Sequence, residues 1–120
     1  MSQRDLLLAA VSLPREAVSI PELGETFTVQ GMNGLQRDDF EASLFSTTAN
    51  GRRRVFTSAN IRAKLLVRCV IDPETGDRLF SDGDADAVGQ IRADVLDRLF
   101  AVAQRLSGIR DEDVEALAKK

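Results

Sequence analysis

The chain has 120 residues, 43% of them hydrophobic and 29% charged, with a formal net charge of -3. This length predicts one domain over residues 1–120, able to fold without disulfides or metal staples. The balance excludes wholesale disorder, and the mild acidity argues against general binding to nucleic acid.

Residues 3–11 read as a short helix with Leu7, Leu8 and Val11 on one side, ended by Pro14. Its apolar stretch is short and follows Asp5, unlike a secretory signal. No run in the chain approaches the roughly 20 apolar residues that span a bilayer. The expectation is a soluble, cytoplasmic protein that does not engage membranes.

The clearest strand signal comes next. Val18 and Ile20 alternate with polar neighbours in Ala17 to Ile20, and Phe27 and Val29 do so in Thr26 to Gln30. Pro21-Glu-Leu-Gly-Glu25 between them supplies turn chemistry, which predicts an antiparallel hairpin with one apolar face. Such a hairpin is marginal alone and needs helices against that face.

Asn33 or Gly34 opens a helix to about Phe45, with Asp38 and Asp39 near its start and Phe40 and Leu44 facing the core. Residues 46–56 carry Ser46, Thr47, Thr48, Asn50, Gly51 and Arg52-Arg-Arg54, and read as a mobile loop. Ser58 then caps a helix whose stripe is Ile61, Leu65, Leu66, Cys69 and Val70. Pro73 and Gly76 mark a turn, and Ser81 with Asp84 caps a short helix over about 82–90 that Gly89 ends. Ala93 to Leu106 carries the best amphipathic pattern, with Leu96, Leu99, Phe100, Ala103 and Leu106 on one face and Gly108 after it. Residues 111–119 read as a weakly held terminal helix. A hairpin followed by helices predicts an α+β domain: an N-terminal antiparallel β-hairpin packed on a bundle of about four to five α-helices. The six phenylalanines read as core anchors.

Candidate chemistry is sparse. The chain lacks histidine, the residue that most often moves protons near neutral pH. The single cysteine, Cys69, cannot form an internal disulfide and lies on an apolar stripe, as a buried inert thiol does. Asp82, Asp84 and Asp86 are spaced like the start of a calcium loop, but Ala87 and Ala93 stand where that loop needs glycine and glutamate. Those acids, and Asp111-Glu-Asp113, fit helix starts. There is no P-loop, dinucleotide fingerprint or metal-ligand spacing. The expectation is a protein without cofactor or catalytic site. Arg52, Arg53 and Arg54 could grip phosphates, but no stacking aromatics accompany them and the chain is acidic, which favours a protein contact or a loop held open by repulsion.

The order of segments resembles the tail assembly chaperones of long, non-contractile-tailed phages and their prophage copies. The resemblance rests on Val18-Ser-Ile-Pro-Glu-Leu-Gly-Glu-Thr-Phe-Thr-Val29, Arg37-Asp-Asp-Phe-Glu41 and Asn60-Ile-Arg-Ala-Lys-Leu-Leu66. It continues through Cys69-Val-Ile-Asp72, Leu79-Phe-Ser-Asp82, Val95-Leu-Asp-Arg-Leu-Phe100 and Ala103-Gln-Arg-Leu-Ser-Gly108. It implies a protein absent from the finished tail that binds the tape measure protein and helps recruit the tail tube protein. Weak self-association would suit coating of a long partner, since many modest contacts add by avidity. Candidate partner-binding residues are Leu7, Met32, Phe45, Arg52, Arg53, Arg54, Val55 and Phe56, with Leu6 and Leu8 beside them. A small head–tail connector or tail terminator is the alternative, and a nucleic-acid-binding regulator using Arg52–Arg54 ranks below both.

Overall fold

The two alternating segments pair as β1 (Arg15–Ile20) and β2 (Glu25–Gln30) in a computed structural model that describes residues 2–48, 50–51 and 53–119. Val18 sits opposite Phe27 and Glu16 opposite Val29, so Val18, Ile20, Phe27 and Val29 share one face. The connection is a 3-10 turn over Pro21–Leu23. Gly24 closes it with φ +66°, a left-handed conformation that favours glycine. The α+β expectation holds, with one strand added. Val70–Ile71 forms β5, which pairs antiparallel with β2 through Val29 opposite Val70 and gives the order β1-β2-β5.

Helices cover the apolar face. Between the N-terminal helix α1 (Gln3–Leu8) and the central ones lies α2 (Gly34–Ser43). Asn33 and Gln36 cap α2 reciprocally, each side chain accepting the other's backbone N–H, at 2.8 and 2.9 Å. Asp38 and Asp39 therefore lie beyond the first turn, and the dipole role expected of them is corrected below.

The central element is α3 (Ile61–Cys69), with Ala63 and Leu65 to Cys69 all buried. The sequence suggested a single stripe. The helix instead contacts α2, α4 (Ala85–Val88) and α5 (Ala93–Ser107), so its sides are covered all round. Ser58 is not its cap. Asn60 occupies that position at φ +56° and donates from Nδ2 to the Ala85 carbonyl at 2.9 Å. Gly89 follows α4 and must be small, since a Cβ there would lie 2.4 Å from Asn60 Oδ1.

Long α5 buries Val95, Leu96, Leu99 and Ala103 and lies across β1, β2 and α3. Gly31, at the end of β2, lets the sheet approach it. A Cβ on Gly31 would stand 2.5 Å from the Leu106 carbonyl oxygen. Gly108 ends α5 in the left-handed region, and α6 (Asp111–Ala118) follows without a fully buried residue. Of the six phenylalanines only Phe40 is fully buried. Phe27, Phe45, Phe56, Phe80 and Phe100 sit half-buried at the margin of the core. The buried charged residue is Arg68, whose Nε donates to Asp39 at 2.8 Å and whose Nη1 donates to the Lys64 carbonyl at 2.6 Å. Asp82 lies 3.8 Å from its Nη2.

Candidate functional site

The segment read as a loop is largely a second, two-stranded ribbon. β3 (Phe45–Thr47) pairs antiparallel with β4 (Arg54–Phe56), Phe45 opposite Phe56 and Ser46 opposite Val55. The pairing explains itself locally. The aromatic and β-branched residues Phe45, Thr47, Val55 and Phe56 suit a pleated, half-buried surface. The Thr48 N–H donates to the Arg53 carbonyl at 2.8 Å and the Thr57 N–H to the Leu44 carbonyl at 2.7 Å, extending the ladder both ways.

The ribbon's two faces differ. Phe45 and Phe56 meet edge to face, ring centres 5.6 Å apart. The Arg54 guanidinium lies over the Phe45 ring, 4.5 Å from its centre. Val55 points to the opposite face and is 43% exposed. Beside the Phe45 face runs an open cleft of about 390 Å³, bordered by Asp38, Glu41, Ala42, Arg54 and Leu117. Arg37 fixes the cleft's walls, because it pairs with Glu41 at 3.4 Å on its own helix and with Asp113 of α6 at 3.8 Å. The Asp113 carboxyl is held below its ordinary range first by the backbone N–H of Arg110. The result is an aromatic floor with acids on one side and a cation on the other.

The structure thus brings together Phe45, Arg54, Val55 and Phe56, with Arg53 at the ribbon's end. Arg52 lies outside the described residues. Met32 is elsewhere, half-buried against the core. Leu7 is also apart, 77% exposed on α1, a helix with no buried residue.

A second surface escaped the sequence reading. A groove of about 240 Å³ between the β1–β2 turn, α4 and α5 is lined only by apolar side chains, among them Leu23, Phe27, Leu79, Phe80, Ile91 and Leu99. Leu23, Leu79 and Ile91 form its exposed lip. Each stands in a turn or short segment outside any helical stripe, which is why periodicity missed them. Charges flank the lip. Glu22 accepts from Arg98 at 3.1 and 2.5 Å, which lowers the Glu22 pKa and raises that of Arg98. Arg92 pairs with Asp94 at 2.7 Å.

Nothing in either surface is arranged for catalysis. Cys69 is buried, and burial pushes its thiol up to about 11, away from nucleophilic use. Asp82 accepts from Arg78 at 2.6 Å, while Asp84 accepts from the Ser81 N–H at 2.8 Å, so those acids serve the fold. Among the described residues no group of three or more His, Cys, Asp or Glu side chains could hold a metal ion, and no helix is long and apolar enough to cross a membrane.

A family model described as phage tail assembly chaperone matches residues 9–120, leaving α1 ahead of the matched segment. The structure of the bacteriophage HK97 tail assembly chaperone superposes with a TM-score of 0.59, at 19% sequence identity, covering 92% of this chain and 100% of that one. No curated protein matches the sequence.

Proposed function

The chain belongs to the phage tail assembly chaperone family, and from that premise we propose that it binds the tape measure protein, keeps it soluble in the host cytoplasm and helps recruit the tail tube protein. It acts by binding alone, without cofactor or chemical step, and leaves before the tail is finished.

One observation carries the choice of surface. The β3–β4 ribbon and its cleft offer half-buried aromatics, an exposed Val55, and charges of both signs from Asp38, Glu41 and Arg54. An amphipathic helix needs that combination, with apolar contact for its stripe and polar partners for its flanks. Aromatic and arginine side chains are also the usual anchors of protein interfaces. A long helical partner presents its stripe repeatedly, so a small site used many times along it gives useful avidity from modest single contacts.

Coexpression with a tape measure fragment tests this reading. The soluble share of the fragment rises with the parent chain. It falls back with Val55→Asp, and with Phe45→Ala, in variants that keep the parent's circular dichroism. A fragment equally insoluble with and without the parent chain contradicts the function. Full solubilisation by both variants contradicts the surface.

A further inference from the structure

We propose that the N-terminal segment of one copy, carrying Leu6, Leu7, Leu8 and Val11, seats in the apolar groove between the β1–β2 turn, α4 and α5 of a second copy. The contact is a property of this chain alone and stands apart from the reading of its partners.

The segment is apolar without an apolar partner in its own chain. Leu6, Leu7, Leu8 and Val11 are each more than half exposed, and α1 buries none of its residues. Large exposed aliphatic patches on soluble chains mark contacts. Elsewhere on the same chain, the groove lined by Leu23, Phe27, Leu79, Phe80 and Ile91 presents no polar side chain. At about 240 Å³ it is smaller than the roughly 300 Å³ at which small-molecule pockets begin, so it suits inserted aliphatic side chains. Donor and acceptor occur once each per copy, in matched chemistry.

Charge agrees. Arg4 and Asp5 lie on the segment, 3.9 Å apart and exposed. The groove's lip carries the pairs Glu22–Arg98 and Arg92–Asp94. Each side brings both signs, so a seated segment can exchange partners without leaving a charge unpaired.

Position favours a second copy over the chain's own groove. The segment joins β1 at Arg15, whereas Leu23 lies beyond its other end, past Ile20. Six residues of strand separate the two by about 17 Å. Four aliphatic side chains and two charges fall well short of the roughly 1,600 Å² of a standard interface, so the association is weak and reversible.

Sedimentation equilibrium of the full chain from about 5 to about 500 µM tests this. The average mass should rise above that of a single chain across the range. Leu7→Glu on the segment and Ile91→Glu on the lip should each weaken the association at least about tenfold while the far-ultraviolet spectrum is unchanged. Oxidation of a mixture of Leu7→Cys and Leu79→Cys chains should give a mixed disulfide dimer, and replacing Leu79→Cys by Leu35→Cys, equally accessible on α2, should not. The native Cys69 is buried and does not interfere. A single-chain mass at every concentration overturns the proposal. So does association that survives both glutamate variants, or cross-linking to Leu35→Cys as strong as to Leu79→Cys.

Discussion

Removing Asp39 should destabilise this protein far more when Arg68 is present than when it is absent. Arg68 is the buried cation of the fold, its side chain 6% exposed, while Asp39 and Asp82 are 56% and 57% exposed. Breaking a buried pair by removing one partner typically costs about 3–5 kcal/mol, because a charge is left buried and unpaired. In Asp39→Ala the guanidinium keeps the Lys64 carbonyl at 2.6 Å and Asp82 at 3.8 Å, so the expected loss is smaller, about 2 kcal/mol. Arg68→Met replaces the buried cation by an apolar side chain of similar length and leaves two carboxylates that water already reaches. It should lie within about 1 kcal/mol of the parent. In that background Asp39→Ala becomes an ordinary surface change worth about 0.5 kcal/mol or less. The double-mutant cycle therefore predicts a coupling of about 1.5 kcal/mol. Urea unfolding read by circular dichroism at the helix band is the assay, since the chain has no tryptophan or tyrosine for fluorescence. At ordinary urea slopes the Asp39→Ala midpoint should fall by roughly 1 M. Equal losses from Asp39→Ala in both backgrounds would refute the buried-cation argument. So would an Arg68→Met variant less stable than Asp39→Ala.

Three further outcomes follow from the same geometry. Gly31→Ala places a methyl 2.5 Å from the Leu106 carbonyl oxygen, so α5 must lift from the sheet. The cost should be about 1–3 kcal/mol by urea unfolding, with the spectrum retained. Cys69, raised from its ordinary 9.0 to about 11, holds about one hundredth of the usual thiolate at pH 8. Iodoacetamide should therefore label it at least about 100-fold more slowly in the native protein than in urea. Asp82, Asp113 and Glu22 have folded pKa values below their ordinary 3.8, 3.8 and 4.5, each set first by a hydrogen bond, from Arg78, from the Arg110 backbone and from Arg98. Their stabilisation is complete above those ordinary values and is lost as pH falls through the lower folded ones. With no histidine to titrate, the urea midpoint should be flat from about pH 5.5 to 8 and decline below about pH 4.5, and Asp82→Asn should shallow the decline.

Local signals predicted the elements that local chemistry determines. The β1–β2 hairpin was legible because alternation and the Pro21–Gly24 turn agree, and α5 because its stripe runs unbroken into Gly108. The misses are tertiary. β5 exists because Val70 and Ile71 meet β2, and two residues give no period to detect. Full burial of α3 was masked by Arg68, which reads as a polar face until Asp39 of α2 is brought to it. Asp39 in turn read as a helix-start acid until the cap at Asn33 fixed the register of α2. The ribbon at 45–56 was hidden by its polar, glycine-containing connection, although Phe45, Val55 and Phe56 had been singled out as contact residues. The groove lip was invisible for a different reason. Leu23, Leu79 and Ile91 are isolated in sequence and become a surface only when the turn, α4 and α5 converge.

The central claim is that this chaperone takes a helical tail protein on the β3–β4 ribbon. Its most direct test is calorimetric titration of the purified chain into a tape measure fragment from the same phage. The account predicts saturable binding at micromolar concentration, several copies per fragment, a negative heat-capacity change, and weakening by Val55→Asp. No heat and no complex at any attainable concentration, or binding indifferent to Val55→Asp and Phe45→Ala alike, would contradict it.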